Sequence, residues 1–442
     1  YPILLSLLAQ NVINVTDTAF LGHVSEVALG ASAMGGLFYI CIFTIAFGFS
    51  TGSQIVIARR NGEGRYSDVG PVMIQGIMFL LLIAILMFGF TKAFGGNIMR
   101  LLVSSESIYE GTMEFLDWRI YGFFFSFVNV MFRALYIGIT RTKVLTINAV
   151  VMALTNVILD YALIFGKFGL PEMGIKGAAI ATIIAQGVSA LGIMGYTYAK
   201  CPELRLHRND LHFDRHCLKE ITSFSTLTCI QQSVMNLGIL MVQGLVNSFG
   251  SMVMAAFAAA IKIDSFAYMP VQEFGNAFST FIAQNFGAKK YERIRKGVKS
   301  ALITTIVFSL FISVLVFLFA KPFMLIFVAP HETEILNVGI GYLRIEGVFY
   351  CGIGILFLLY GYYRAIRMPE MSVILTIASL GTRVALSYWL AAIPSIGVTG
   401  IWWSIPIGWF IADMIGIIYY KYRKKLRSND IHYSDTAYTE RT

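Results

Sequence analysis

Residues 69–91 read VGPVMIQGIMFLLLIAILMFGFT, an unbroken run without a single charge. At 1.5 Å per residue such a run, as a helix, crosses a hydrocarbon core about 30 Å thick. Its apolar positions are continuous rather than alternating, which excludes a strand of a membrane β-barrel and leaves a helix. The rest of the chain follows the same rule. Of 442 residues, 57% are hydrophobic and 13% charged, with mean hydropathy +0.70. A soluble domain carries about 25% charged residues. A chain this apolar cannot clothe a water-facing surface, so a soluble enzyme, a nucleic-acid-binding module and a disordered chain are all excluded. The expected class is an all-α integral membrane protein.

Apolar runs bounded by Gly, Pro and charge clusters mark twelve spans: 1–21, 28–58, 69–91, 118–140, 144–166, 177–199, 222–249, 253–284, 298–320, 342–364, 371–391 and 400–422. Orientation follows from the basic residues. Arg59, Arg60 and Arg65, then Arg141 and Lys143, Lys289 to Lys299, and Lys421 to Arg427 all fall in one alternate set of connections. The opposite set holds few, among them Lys92, Arg119 and Lys321. The positive-inside rule makes the first set cytoplasmic and puts both termini inside. The net charge of +9 is then a matter of topology. Trp118, Trp389, Trp402 and Trp403 fall at the outer boundary, as an aromatic belt would. Five cysteines, three of them in apolar runs, suggest no disulfide framework. The chain opens at Tyr1-Pro2 inside an apolar run, so a preceding stub and no cleaved signal peptide are expected.

The two halves repeat. A shift of 225 positions brings Ile57-Ala58 onto Ile282-Ala283, Gly62 onto Gly287 and Tyr66 onto Tyr291. Gly174-Ile-x-Gly177 finds its mate in Gly397-Val-x-Gly400. Six spans per repeat is an even number, so two parallel six-helix lobes related by a pseudo-twofold axis along the membrane normal are expected. The lobes are residues 1–205 and 222–442, the second ending in a basic tail, with 206–221 as a cytoplasmic linker. This architecture suits alternating access.

Charges inside a membrane are expensive and point to function. Asp17 in span 1 lies about 6 Å below the outer loop and Asp160 in span 5 about 9 Å below it, by the helical rise. Asn156 stands one turn from Asp160 on the same face, and Thr182 reaches a similar depth from span 6. Two carboxylates, an amide and a hydroxyl form one layer of hard oxygens, suited to H⁺ or Na⁺ rather than to a transition metal. Their counterparts in the second half, Val242, Thr382, Leu386 and Ile405, carry no acid. A buried packing network is the competing reading. Polar stripes run along span 1 (Ser6, Gln10, Asn14) and span 7 (Gln232, Asn236, Gln243), facing either a cavity or a neighbouring helix. With Gln54, Lys262, Asp264, Glu273 and Arg383 they complete the candidate substrate-cavity set. Arg133, Glu346 and Asp413 read as snorkelling or capping residues.

Asn14-x-x-Asp17-Thr18-x-x-x-Gly22, Asn156-x-x-x-Asp160, Phe168-Gly-Leu-Pro-Glu-Met-Gly-Ile-Lys-Gly-Ala-Ala-Ile-Ala-Thr182, Asp264-Ser-Phe-Ala-Tyr-Met-Pro270 and Gln284-Asn-Phe-Gly-Ala-Lys-Lys together resemble the multidrug and toxic compound extrusion (MATE) family over essentially the whole chain. The resemblance implies a secondary antiporter that exports amphipathic, cationic organic compounds in exchange for H⁺ or Na⁺. It implies no enzymatic step, no cofactor beyond the coupling ion, no nucleic-acid partner and a monomer in the bilayer. Asp17, Asn156, Asp160 and Thr182 match the cation site of the DinF-like branch, and Pro2 matches its span 1 hinge. Span 7 has no acid, unlike that of the NorM-like branch. A flippase of lipid-linked saccharides, from the same superfamily, is the alternative function, and a receptor or scaffold would leave the one-sided Asp pair unexplained.

Overall fold

In the computed structural model the residues described are 2–103, 105–201 and 215–439, and among them there is helix and no strand. In order the helices are α1 (Pro2–Val24), α2 (Glu26–Gly62), α3 (Val69–Leu102), α4 (Glu106–Arg119), α5 (Gly122–Gly138), α6 (Lys143–Ile164) and α7 (Gly174–Lys200). The second half supplies α8 (Arg215–Asn247), α9 (Ser251–Gly287), α10 (Tyr291–Met324), α11 (Thr333–Val348), α12 (Tyr350–Ala365), α13 (Pro369–Ala391) and α14 (Val398–Thr439). Among the described residues, nine of these helices are long and apolar enough to cross a membrane, and two bent pairs raise the number to eleven. α1, 23 residues long, stands where the remaining expected span, 1–21, was placed. Residues 206–214 of the expected linker lie outside the described part.

The fourth and tenth spans differ from their sequence reading. Each is a pair of helices, α4 with α5 bent by 56° and α11 with α12 by 53°, where uninterrupted spans at 118–140 and 342–364 were expected. The stretch Glu106–Arg119 carries Glu106, Glu110, Glu114, Asp117 and Arg119, so its hydropathy reads as a loop. One face nevertheless buries Thr112, Phe115 and Leu116, spaced three and four apart as a helix requires.

By compactness the chain forms two units. The first is Tyr1–Cys229 together with Ala283–Lys290, and the second is Ile230–Ile282 together with Tyr291–Thr442. The first unit gains the start of α8 through charge: Arg60 at the end of α2 donates to Glu220 at 2.8 Å and to Asp68 at 3.3 Å, and Arg59 reaches the same Glu220. Gln284 Nε2 donates to the Gly138 carbonyl at 2.8 Å, which ties in the residues after Ile282. Its core stacks Tyr39 on Phe123, with ring centroids 4.9 Å apart, and Phe49 on Phe79 at 4.7 Å.

The second unit is built around Phe257, Tyr342 and Trp402, whose rings lie 4.9–5.5 Å apart. Trp402 is 3% exposed and belongs to this core, so the expected aromatic belt loses one member; Trp389, at 66% exposure, stays on the surface. In lipid, where packing rather than water exclusion holds helices together, a buried ring of this size matters through its contacts. Trp402→Ala should lower stability by about 3–5 kcal/mol, the usual cost of emptying a large aromatic site, and Trp389→Ala should leave it nearly unchanged. Thermal unfolding of the two detergent-solubilised variants tests the contrast.

Candidate functional site

Asp17 sits on α1 midway between Ile13 and Leu21, which are 6% and 2% exposed. The three lie one turn apart on the face that α1 turns toward α6. On α6, Ala153, Asn156, Asp160 and Leu163 form the matching buried row, and Asn156 and Asp160 have no exposed surface. The two helices thereby bring Asp17 and Asp160 together, their carboxyl groups within hydrogen-bonding reach of each other. α7 completes the layer. Gly177 lets it approach the end of α6, since a Cβ there would stand 2.7 Å from the Leu163 carbonyl oxygen. One turn further along, Thr182 Oγ1 accepts a hydrogen bond from Asn156 Nδ2 at 3.4 Å and donates to the Ala178 carbonyl at 2.9 Å.

Those bonds decide what is left over. With its amide nitrogen committed to Thr182, Asn156 presents its oxygen. Among the described residues, Asn156 Oδ1, both carboxylate oxygens of Asp160 and Asp17 Oδ1 are buried with no hydrogen-bond donor. Acceptors in such a place are costly unless something positive meets them. The donor set of hard oxygens fits a proton or Na⁺. Thr182, expected as a fourth ligand, lies beside the other three and holds the amide nitrogen of Asn156.

A cavity of about 460 Å³ opens beside this layer, lined by Gln10, Asn14, Asp17, Tyr39, Arg119, Asn156, Thr182 and Gln186 among others. A smaller one of about 130 Å³ shares Gln10, Met152 and Gln186 with it and adds Ser6, Asn129, Arg133 and Asn148. The span 1 stripe Ser6, Gln10, Asn14 and Asp17 therefore faces cavity rather than a packing seam. Arg133, expected to snorkel, faces the smaller cavity with its guanidinium 5.3 Å from the Phe47 ring centre.

Arg119 was missed by the sequence reading, which placed it with the outer loops. It ends α4, and the bend before α5 turns it inward to 9% exposure. Its guanidinium lies 3.7 Å over the Tyr39 ring, and Nη1 donates to Gln186 Oε1 at 3.2 Å. The signal was the helical spacing of Thr112, Phe115, Leu116 and Arg119.

The remaining candidates divide. Pro2 is the first residue of α1, which runs on to Val24 as one element. Gln54 is buried at 5% exposure and lines neither first-unit cavity. In the second unit, Asp264 and Arg383 share a cavity of about 180 Å³ with Tyr268, Tyr342, Tyr350 and Glu346. Glu346 is 3% exposed; it is a cavity residue and not the snorkelling one expected, because the α11–α12 bend aims it inward. Asp413 is likewise buried, at 6% exposure. Lys262 turns the other way and stands 5.8 Å from the Phe327 ring centre, while Glu273 accepts from Asn276 Nδ2 at 3.5 Å. Gln232, Asn236 and Gln243 line none of these three cavities; α8 contributes Met235 and Ile239 to the second-unit cavity instead.

The MatE family model matches residues 2–162 and again 227–389, two stretches offset at their starts by the same 225 positions that align the halves. The chain belongs to the MatE family. Among its relatives are the probable multidrug resistance protein NorM of Thermotoga maritima, 26% identical over 92% of this chain and 86% of that one. The probable multidrug resistance protein YoeA of Bacillus subtilis is 23% identical over 95% and 92%. An outward-facing multidrug resistance MATE family transporter superposes with TM-score 0.88 at 20% identity, covering 96% of this chain and 93% of that one. A transporter of the multidrug/oligosaccharidyl-lipid/polysaccharide superfamily from Pyrococcus furiosus gives 0.86 at 20% identity, with the same coverage. The fold is the MATE fold.

In the second-unit cavity, Asp264 Oδ1, Glu346 Oε2 and Arg383 Nε have no hydrogen-bond partner among the described residues, and Arg383 is the one basic side chain lining it beside the two acids. Arg383→Leu leaves two acids in that cavity with no basic side chain lining it and should destabilise the protein by about 3 kcal/mol, the scale for leaving a buried charge uncompensated. Adding Glu346→Gln should restore part of that loss. Thermal unfolding of the single and double variants measures both steps.

Proposed function

We propose that this MatE-family membrane protein is a secondary active multidrug antiporter, exporting amphipathic organic compounds that carry positive charge in exchange for H⁺ or Na⁺. The layer of donor-less oxygens on Asp17, Asn156 and Asp160 carries the reading. Two adjoining carboxylates in a water-poor layer hold a proton or a cation between them. The neighbouring cavity of about 460 Å³ has room for a drug-sized molecule, and Asp17 belongs to both.

Coupling follows from that shared residue. While the carboxyl pair is charged, Asp17 attracts the cationic group of a compound in the cavity. When H⁺ or Na⁺ enters and neutralises the pair, that attraction is withdrawn and the compound is released outward. Reloading requires the ion to leave toward the cytoplasm. A compound and an ion that bind the two facing states with different affinity each bias the same equilibrium. Multidrug resistance in the names of the relatives supports the substrate class, and the family match supports transport without a chemical step. The basic connections support a cytoplasmic membrane location with both termini inside.

Asp17→Asn and Asp160→Asn should each lower ion-gradient-driven ethidium efflux from proteoliposomes by about tenfold or more, the double variant being hardly worse than either single because the two groups act as one unit. Undiminished efflux in both single variants overturns the ion-coupling role.

A further inference from the structure

The connection between the second and third spans of each half exists in two copies, and they handle charge in opposite ways. In the first copy every basic side chain meets an acid. Arg59 and Arg60 share Glu220, Arg60 also reaches Asp68, and Arg65 pairs with Glu63 and Asp68. The 225-residue shift carries Glu63 onto Ala288 and Asp68 onto Arg293, so both acids are missing from the second copy. From Lys289 to Lys299 that copy holds six basic residues and one acid, Glu292. All six basic side chains are exposed, and none has an ion-pair partner among the described residues.

The start of α10 sets the direction in which four of these charges point. Ile294 and Ala301 are buried on one side of it. Gly297, between them, lets α10 close onto α9, since a Cβ there would strike the Phe281 ring. At 100° per residue, Arg295, Lys296 and Lys299 stand on the opposite side, with Arg293 flanking them. Further along that opposite side come Ile303, Leu310 and Val314, all exposed. One face of α10 therefore passes from bare cations to bare hydrocarbon. From Lys299 to Leu310 the helical rise is about 16 Å, close to one leaflet of a hydrocarbon core about 30 Å thick.

We propose that this face of α10 binds an anionic phospholipid, its phosphate held by Arg293, Lys296 and Lys299 and an acyl chain lying along Ile303, Leu310 and Val314. The charges call for such a partner twice over. Like charges one turn apart repel, and Arg293 stands in the first turn, where the helix dipole is itself positive. An anion relieves both costs. Arginine offers a planar fork to phosphate oxygens and lysine a mobile point charge. What the first copy achieves with its own acids, the second achieves with a lipid. The site does not depend on which compounds the protein exports.

The test uses the full chain, stripped of lipid in detergent and mixed with equal amounts of phosphatidylglycerol and phosphatidylcholine bearing the same acyl chains. Native mass spectrometry counts the retained lipids of each kind, and their ratio is the readout. The unmutated protein should retain phosphatidylglycerol preferentially. Each basic residue near an anionic lipid surface contributes roughly fivefold in binding. The triple variant Arg293→Gln, Lys296→Gln and Lys299→Gln should therefore lower the ratio by about tenfold or more. Arg293→Asp, which installs the acid of the first copy, should lower it further than Arg293→Gln. A second triple variant, Lys143→Gln, Lys200→Gln and Lys219→Gln, removes as many exposed charges from the ends of α6, α7 and α8 and should leave the ratio nearly unchanged. Equal losses in the two triple variants reduce the effect to net charge and overturn the site. An unmutated protein with no preference between the lipids also overturns it, and makes an acidic protein segment the occupant to seek.

Discussion

A polar atom in the hydrocarbon core has no water to turn to, and the arrangement of this protein follows from that constraint. Backbone groups meet it by staying helical on either side of each bend. Side chains meet it one by one. Thr182 and Asn156 satisfy each other, Tyr39 pairs with Ser126, and Arg119 finds a ring and an amide. The exceptions are the oxygens of Asp17, Asp160 and Asn156. Their deficit sits where α1, α6 and α7 meet, and it gives a positively charged species a reason to enter. The proposed antiport puts its coupling ion at this point, because the groups that the fold leaves without a donor are those an ion would complete.

Much of this was legible in the sequence. The uncharged run at 69–91 and its counterparts set the class and the span count, and the 225-residue shift revealed the duplication before any helix was placed. The Asp17 and Asp160 layer was legible because helical rise is uniform, so depth can be counted from the nearest loop. The bends were not. Glu106–Arg119 is too acidic to score as membrane-embedded, and only the one-sided spacing of its apolar residues betrays a packed helix. Since depth was counted along straight spans, Arg119 and Glu346 were assigned to the boundary while the backbone turns them into cavities. The span 7 stripe shows the opposite limit. Gln232, Asn236 and Gln243 share a face, but periodicity identifies a face without saying what it meets.

Small residues and aromatic rings divide the packing work. Gly177 brings α7 against the end of α6, which delivers Thr182 to Asn156. The rings of Phe257, Tyr342 and Trp402 pack together in the core of the second unit among smaller residues such as Ala256, Ala260 and Ala320. The same preference for contact over water exclusion explains why a tryptophan that hydropathy would put at the interface is enclosed by two other aromatic groups.

The paired bends carry a consequence for divergence after duplication. In each half the outer helix of the bent pair puts an ionisable residue in its last turn, Arg119 in one and Glu346 in the other, and each faces its own half's cavity. Backbone geometry fixes where that side chain arrives, and only its identity fixes the sign of the charge delivered. The duplicated backbone therefore brings opposite charge to the two cavities through one side chain each, so the halves differ in polarity at a place whose architecture they share.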